Sequence, residues 1–170
     1  AISIITPSYN QGTFIEETIR SVLLQNYPNV EYIIIDGGSS DETIDVITKY
    51  EKWIVSWVSE KDDGQSSAIN KGMEQATGLI VNWLNSDDLL LERALFHIAL
   101  ASVEHSEAVA WVGKCRFIDE PGRKIRTVES VVGDKKDYAA WGNPFDDKNS
   151  KGWIAQPSCY FKRIDYLAVG

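Results

Sequence analysis

Two adjacent carboxylates, Asp87 and Asp88, are the side chains of this sequence best suited to hold a divalent cation. They follow the apolar run 79–81 and precede the apolar run 89–91, so they lie where a buried strand gives way to a loop. Mg2+ and Mn2+ prefer oxygen ligands, and Mg2+ is usually held by one or two carboxylates together with the phosphates of a substrate. The pair therefore indicates a cation that binds a diphosphate. The alternative is that one of the two acids caps a helix expected to begin near Glu92.

The net charge of the chain argues against nucleic acid or an anionic membrane surface as its main electrostatic partner. The sequence has 25 acidic and 17 basic residues, a formal charge of -8, and no long basic patch. An anionic substrate then needs local help, from a metal ion or from the backbone N–H groups at a helix N-terminus. The acidic pair could provide the first of these.

Length and composition predict one compact domain, residues 1–170. The chain has 170 residues, of which 44% are hydrophobic and 25% charged, as in ordinary globular proteins. The apolar runs are only strand-sized and the start lacks a signal sequence, so we predict no transmembrane segment and a cytoplasmic location. Cys115 and Cys159 are far apart and form no CxxC motif, so we expect reduced, buried thiols.

Strands and helices alternate through the first part of the sequence, residues 1–113. Helical patterns separate and follow the predicted strands, which are 2–5, 31–35, 54–58 and 79–84. Ser40 is expected to cap the helix that carries Ile44 and Ile47. This alternation predicts an α/β fold, a Rossmann-like, mostly parallel sheet of βαβ units with helices on both faces. Ligands bind such sheets beyond the carboxyl ends of the strands, where the turns carry Tyr9, Asp36, Asp62 and Asp87.

The second part of the sequence, residues 114–170, is more irregular. After a short apolar run at 109–112, Pro121-Gly122 predicts a hairpin turn between strands at 115–119 and 124–128. Residues 138–152 lack a clear period and predict a long surface loop, of the kind that often carries function.

Four segments resemble, in order and spacing, motifs of the family 2 glycosyltransferases, which have the GT-A fold and use nucleotide-activated sugars. They are TPSYNQGTFIEETIRSVLLQNYPNVEYIIIDGGSSDET, SEKDDGQSSAINKGMEQATG, WLNSDDLLLERAL and IAQPSCYFKR. The resemblance covers most of the chain, with 1–113 as the nucleotide-binding half and 114–170 as the start of the acceptor-side half. It implies an inverting, metal-dependent transfer of a sugar from a nucleotide-diphosphate sugar, expected to be UDP-linked, to an acceptor hydroxyl.

Within this family, the segments resemble those of bacterial enzymes of cell-surface polysaccharide biosynthesis. The acceptor is then a saccharide or a lipid-linked saccharide, and the full protein can associate peripherally with the inner face of the membrane.

The resemblance assigns the nucleotide base to the first two turns. Pro7, Ser8 and Tyr9 match positions that lie against the base, with Tyr9 as a stacking platform. The alternative for Tyr9 is an ordinary core aromatic. Asp36 matches a carboxylate that reads the base or ribose, but many members have two acids before Gly-Ser where this chain has Asp36-Gly37-Gly38. The alternative for Asp36 is a turn residue that bonds its own backbone.

Two further segments carry the remaining roles that the resemblance implies. Asp62, Gln65 and Asn70 match a donor-facing loop and helix, and Lys71 could meet a phosphate or be an ordinary solvated charge. The family's D-x-D metal motif corresponds to Asn85-Ser86-Asp87, in which Asp87 binds Mn2+ or Mg2+ directly. The amide of Asn85 replaces the first acid and can still hydrogen-bond a ribose or a metal-bound water. Asp88 supports the site or acts as a further ligand.

The catalytic base that the resemblance implies lies downstream of IAQPSCYFKR, so we expect it beyond Gly170 and the chain to be a truncated form. The acids Asp146, Asp147 and Asp165 do not match the position of that base. One alternative function is a module that binds a nucleotide sugar without turnover. Another is a sugar-phosphate nucleotidyltransferase, although TPSYNQG stands where such an enzyme has a glycine-rich, basic phosphate loop.

Overall fold

The computed structural model describes residues 1–130 and 154–169. The chain divides into two compact units, the first formed by Ala1–Val109 with Tyr160–Gly170 and the second by Ala110–Cys159. The first unit therefore contains every predicted site residue. A single domain over residues 1–170 stays a prediction.

The strands and helices follow the alternating order expected from the sequence. The strands are β1 (Ile2–Ser8), β2 (Val30–Asp36), β3 (Ser56–Ser59), β4 (Ile80–Trp83), β5 (Ala110–Val112), β6 (Lys114–Ile118), β7 (Lys124–Glu129) and β8 (Cys159–Lys162). The helices are α1 (Ile15–Leu23), α2 (Thr43–Tyr50), α3 (Gln65–Gln75), α4 (Ala94–Glu104) and α5 (Arg163–Val169). Short 3-10 turns lie at Glu51–Trp53 and Gln156–Ser158.

The sheet of the first unit confirms the predicted mostly parallel α/β architecture. Its strand order is β3-β2-β1-β4-β8. The first four strands in this order are parallel, with Ile2 opposite both Val30 and Ile80, whereas β8 runs antiparallel to β4. Every residue of β1 is buried, as expected for a central parallel strand covered on both faces. The carboxyl ends of β1, β2, β3 and β4 consequently meet along one edge.

Helix α3 packs closely against the centre of this sheet. Ala68, Ile69 and Met73 of the helix contact Ile5, Ile33, Ile35 and Val81 of the strands in one buried cluster. Gly72 permits this approach, because a Cβ atom at that position would overlap Cγ2 of Ile5. The packing holds the N-terminus of α3 at the carboxyl edge of the sheet.

Several predicted boundaries were wrong, including the end of the first strand, because β1 continues through the predicted turn residues 6–8. Ser40 does not cap α2, which begins at Thr43, where the Asp41 carboxylate accepts the Thr43 N–H at 3.1 Å. Strand β3 begins at Ser56 rather than at residue 54, because a 3-10 turn ends at Trp53 and residues 54–55 connect the turn to the strand. Helix α4 begins at Ala94 rather than near Glu92, because Arg93 has a left-handed backbone with φ of 62°.

The second unit contains the predicted hairpin. Strands β6 and β7 pair antiparallel, with Cys115 opposite Val128, and Gly122 takes a φ of 80° in the connecting turn. Cys159 is buried and Cys115 is half-buried, so only the first thiol has the expected burial. The predicted loop at 138–152 lies outside the described residues. No helix in the described ranges 1–130 and 154–169 is long and apolar enough to cross a membrane.

Candidate functional site

A cavity of about 630 Å3 lies at the carboxyl edge of the sheet in the first unit. This volume is typical of sites for small molecules and cofactors. The lining residues come from the carboxyl end of β1 and the turn after it, from the turns after β2 and β4, and from the loop between β3 and α3 with the start of that helix. They are Pro7, Ser8, Tyr9, Gln11, Gly37, Gly38, Lys61, Asp62, Gly64, Gln65, Ala68, Asn85, Ser86 and Asp87.

Tyr9 lines this cavity and is 62% exposed, which excludes the alternative of a core aromatic. The turn that presents it is tied to the turn after β2. The Asn10 N–H donates to Ser39 Oγ at 2.8 Å, and the Ser40 N–H donates to Asn10 Oδ1 at 2.9 Å. Asn10 itself has a φ of 52°, a left-handed conformation that asparagine tolerates better than most residues. The aromatic ring is thus held at the rim of the cavity by a fixed loop.

Two buried polar atoms on the cavity wall have no hydrogen-bond partner within the described part of the chain. They are Oγ of Ser8 and Oε1 of Gln11. The great majority of buried polar atoms in folded proteins are hydrogen-bonded. A ligand in the cavity could supply the partners that the protein does not, so both atoms mark a polar subsite beside Tyr9.

Asp36 lies behind the cavity wall. Its buried carboxylate accepts the N–H groups of Gly38 at 3.0 Å and Ser39 at 2.8 Å, as well as the hydroxyls of Ser39 and of Ser59, the latter at 2.6 Å. These bonds give Asp36 the turn-forming role that was the alternative reading of this residue. The contact of Asp36 with a nucleotide, which the resemblance implies, stays a prediction.

A different carboxylate lies on the wall beside that turn. A Cβ atom placed on Gly37 would lie 3.1 Å from Oδ1 of Asp62, so Asp62 fills the space next to this glycine. The same oxygen accepts the Gly64 N–H at 2.8 Å, which fixes the loop before α3. Asp62 therefore brings a negative charge to the part of the wall where residue 37 has no side chain.

The N-terminus of α3 also faces the cavity through Gly64, Gln65 and Ala68. No side chain among the described residues caps this end of the helix. The backbone N–H groups of a first helical turn, with the helix dipole, favour a negatively charged group. This end of the cavity is therefore suited to an anion.

The other polar residues predicted on α3 lie elsewhere. Asn70 is exposed and does not line the cavity. Lys71 forms an ion pair with Glu60, which agrees with its reading as an ordinary surface charge rather than as a phosphate ligand. The lysine on the cavity wall is instead Lys61.

The turn after β4 presents Asp87 to the cavity. Asn85 accepts a hydrogen bond from Gln65 Nε2 at 2.8 Å and donates through Nδ2 to Asp88 Oδ2 at 3.1 Å. Asp87 is exposed and lines the cavity, whereas Asp88 is half-buried and does not. Burial and the adjacent charge of Asp87 raise the pKa of Asp88 to about 6, although the Asn85 amide acts in the opposite direction. Of the two acids, Asp87 has the geometry of a cation ligand.

The residues around Asp87 fit a cation that is shared with a substrate. The described residues contain no group of three or more His, Cys, Asp or Glu side chains that could hold a metal ion alone. Mg2+ is often bound by only one or two carboxylates, with phosphate oxygens and waters completing its coordination. Asp87, with the amide of Asn85 nearby, matches this kind of site.

Most of the predicted nucleotide-binding residues thus lie on one cavity. Those on the wall are Pro7, Ser8, Tyr9, Asp62, Gln65, Asn85 and Ser86. Sequence reasoning missed the lining residues Gln11, Gly37, Gly38, Lys61, Gly64 and Ala68. All of them belong to the quoted motif segments. A search for reactive side chains overlooks glycines and alanines that form a wall with their backbone.

Comparison with known proteins identifies the family. Residues 3–160 match the model of the family described as "Glycosyl transferase family 2". The chain belongs to this family. The putative teichuronic acid biosynthesis glycosyltransferase TuaG of Bacillus subtilis is 44% identical to this glycosyltransferase-family chain over 90 residues, which is 51% of the chain and 36% of TuaG. An uncharacterized glycosyltransferase of Haemophilus influenzae is 33% identical over 149 residues, which is 85% of the chain and 58% of that protein. The chain therefore spans only part of the length of these curated relatives.

Solved structures of similar fold agree with the GT-A architecture. S. aureus TarS 1-349 in complex with UDP has a TM-score of 0.73 and 20% identity, covering 99% of this family 2 chain and 48% of that structure. The mannosyltransferase PcManGT from Pyrobaculum calidifontis, in complex with GDP-Man and Mn2+, has a TM-score of 0.65 and 23% identity, covering 99% of the chain and 46% of that structure. At these identities the likeness concerns the fold.

Proposed function

We propose that this chain binds the donor of a glycosyltransferase that moves a sugar from a nucleotide-diphosphate sugar, UDP-linked in the simplest case, to an acceptor hydroxyl. The observation that carries the proposal is the composition of one cavity. It combines the exposed aromatic Tyr9, the unpartnered polar atoms of Ser8 and Gln11, and the exposed carboxylate of Asp87. UDP and UDP-GlcNAc are bound by a protein of the same fold, TarS, which supports the choice of UDP.

The base of the nucleotide is assigned to the end of the cavity at Tyr9. Stacking of a base on an aromatic ring contributes about 1–3 kcal/mol in nucleic-acid complexes, and it suits any base. Ser8 Oγ and Gln11 Oε1 supply hydrogen-bonding atoms there. The Asp62 carboxylate can accept an N–H of the base, since a carboxylate is an acceptor only.

The diphosphate is assigned to the end of the cavity at Asp87 and the N-terminus of α3. A divalent cation held by Asp87 would neutralise the charge that develops on the diphosphate leaving group. Lys61 and the first-turn N–H groups of α3 hold the phosphate oxygens from the protein side. A site of this kind resolves how a chain of net charge -8 can bind an anionic donor.

The acceptor side of the reaction belongs to the proposal as well. Inversion at the anomeric carbon requires a carboxylate opposite the leaving group to take the acceptor proton, and we assign this role to no described residue. The name of TuaG connects that relative with teichuronic acid, which supports a saccharide or lipid-linked saccharide acceptor. A cytoplasmic location, with peripheral association at the membrane, also stays a prediction.

Calorimetry with UDP in the presence and absence of Mn2+ tests the donor site. We expect UDP to bind more tightly with Mn2+ than without it, and more tightly than GDP under the same conditions. Tighter binding of GDP would replace the UDP assignment, and absence of binding by both nucleotides with Mn2+ would contradict the donor site altogether.

Turnover assays separate the alternative functions. Transfer or hydrolysis of a UDP-sugar by this chain shows a complete enzyme, whereas binding without turnover shows a binding module. Formation of a sugar nucleotide and pyrophosphate from UTP would instead show a nucleotidyltransferase.

A further inference from the structure

Helix α1 and the turn that follows it carry a stripe of polar side chains on the side that contacts the protein interior. Thr18 and Ser21 are three residues apart and share one face of the helix, and Gln25 follows four residues later in the turn after it. Thr18 is fully buried, Gln25 is 5% exposed and Ser21 is half-buried. Burial of polar groups is unfavourable unless they are hydrogen-bonded. The hydrogen-bond partners of these three side chains therefore explain how they can be buried.

All three side chains bond to the backbone of the segment between β4 and α4, and Gln25 also bonds to the first turn of α4. Ser21 Oγ accepts the Leu90 N–H at 3.0 Å. Gln25 donates through Nε2 to the Leu91 carbonyl at 2.9 Å and accepts the Leu95 N–H through Oε1 at 3.3 Å. The stripe thus binds the loop at several successive points.

Thr18 makes the contact that bears on the site. Its Oγ1 lies 2.9 Å from the carbonyl oxygen of Ser86 and 2.9 Å from that of Asp88. These carbonyls flank Asp87 on both sides, so one hydroxyl shared between them fixes the backbone on either side of the exposed carboxylate. The direction in which Asp87 points into the cavity depends on this backbone.

We propose that Thr18 is a positioning residue for the cation ligand Asp87, and that Ser21 and Gln25 support this role by fixing the backbone further along the same loop. The inference rests on the proposed function, because the cation at Asp87 is itself part of that proposal. Groups that orient a metal ligand without touching the metal typically change metal affinity by about 10- to 100-fold when removed. A purely structural role would instead lower thermal stability and leave the affinity for Mn2+ unchanged.

The test measures free Mn2+ by electron paramagnetic resonance during titration of the chain with UDP present. For Thr18→Val we expect Mn2+ affinity to fall by about 10-fold, with metal-free UDP affinity unchanged. Thr18→Ser retains the hydroxyl and should restore parental Mn2+ affinity. Thr48→Val makes the same substitution as a control at an exposed position, where the Thr48 hydroxyl donates to the Ile44 carbonyl on α2, away from this loop.

Asp87→Ala separates failure of the inference from failure of the proposed function. If Asp87→Ala weakens Mn2+ binding but folded Thr18→Val binds Mn2+ like the parent, the positioning role is overturned and the donor site stands. If Asp87→Ala binds Mn2+ like the parent, the cation assignment and the positioning role both fall.

Ser21→Ala covers the case in which Thr18→Val does not fold. It removes the acceptor for the Leu90 N–H from a half-buried position, so the fold is less at risk. We expect a smaller loss of Mn2+ affinity in the same direction. If Thr18→Val is unfolded and folded Ser21→Ala has parental Mn2+ affinity, the proposal that these side chains position Asp87 is overturned.

Discussion

The two ends of the central sheet differ in whether the protein supplies hydrogen-bond partners for their polar groups. At the amino end, the Glu31 carboxylate accepts the hydroxyl of Ser3 and both the N–H, at 2.8 Å, and the hydroxyl, at 2.9 Å, of Thr77. The Ser3 hydroxyl in turn accepts the Gly78 N–H at 2.9 Å. Burial alone would raise the pKa of Glu31, but these hydrogen bonds together hold it below its usual value. We call the amino end the closed end, because the protein itself supplies the partners of these polar groups.

At the carboxyl end, which we call the open end, polar groups face the cavity. Asp87 and Tyr9 are exposed there, and buried polar atoms of Ser8 and Gln11 have no partner within the described residues. A carboxylate that is surrounded by protein donors contributes to stability, whereas one left open in a cavity contributes to binding. The comparison therefore predicts which variants affect stability and which affect ligand affinity.

The largest expected effect is at the open end. We expect Asp87→Ala to weaken UDP binding in the presence of Mn2+ by about 100-fold, or ~2.7 kcal/mol, because it removes the carboxylate that holds the cation. Stability should be unchanged, since the side chain is exposed. Calorimetry with and without Mn2+ gives the first quantity and thermal unfolding the second. Loss of stability without loss of binding would remove the contrast between the two ends.

Tyr9→Ala should weaken UDP binding by about 1–3 kcal/mol, equally with and without Mn2+, because it removes the stacking surface. Tyr9→Phe keeps the ring and serves as the control. Titration calorimetry of both variants checks the prediction. An affinity unchanged in Tyr9→Ala would place the base elsewhere in the cavity.

Glu31→Gln tests the closed end. The variant keeps the shape of the side chain but weakens its hydrogen bonds, and we expect a loss of about 1 kcal/mol in the free energy of unfolding at neutral pH. Because the folded-state pKa lies below the ordinary value of 4.5, this stabilisation is present above that pH and disappears as the pH falls through the lowered pKa. Urea unfolding across this pH range measures it. A change in UDP affinity would show that the two ends are not independent.

A second effect on stability of similar size concerns Asp88, the half-buried neighbour of Asp87. Its folded-state pKa of about 6 exceeds the ordinary 3.8, so the folded chain binds the proton more tightly and loses stability as the pH rises between these values. Asp88→Asn should remove this dependence and stabilise the chain by about 1 kcal/mol at neutral pH. Asp63→Asn, at an exposed acid, is the control in the same urea unfolding series. Equal pH dependence of the free energy of unfolding in Asp88→Asn and Asp63→Asn would contradict the raised pKa of Asp88.

Much of the fold was predictable because local signals agreed. In α3, Gly64 precedes the helix and Ala68, Ile69 and Met73 recur at helical spacing, and the structure has a helix there with those residues buried. Boundaries were less predictable where a neighbouring side chain decides them. Asp41 rather than Ser40 bonds the first turn of α2, and both residue types favour such positions.

The roles of the site residues depended on contacts between distant segments. Asp36 and Asp87 are the same residue type and both lie at the carboxyl end of the parallel strands. The first is enclosed in part because the Ser59 hydroxyl reaches it from β3, while the second points outward. For Tyr9 a core position stayed open as the alternative to the cavity, because its exposure depends on the bonds between the turns after β1 and β2. Hydrophobic periodicity carries no information about such contacts.

The position of Mn2+ in crystals grown with UDP is the most direct test of the proposed donor site. We predict an anomalous scattering peak about 2.1 Å from a carboxylate oxygen of Asp87, with the diphosphate on its other side and the uracil against Tyr9. A peak at another place, or UDP bound with no cation near Asp87, would contradict the account.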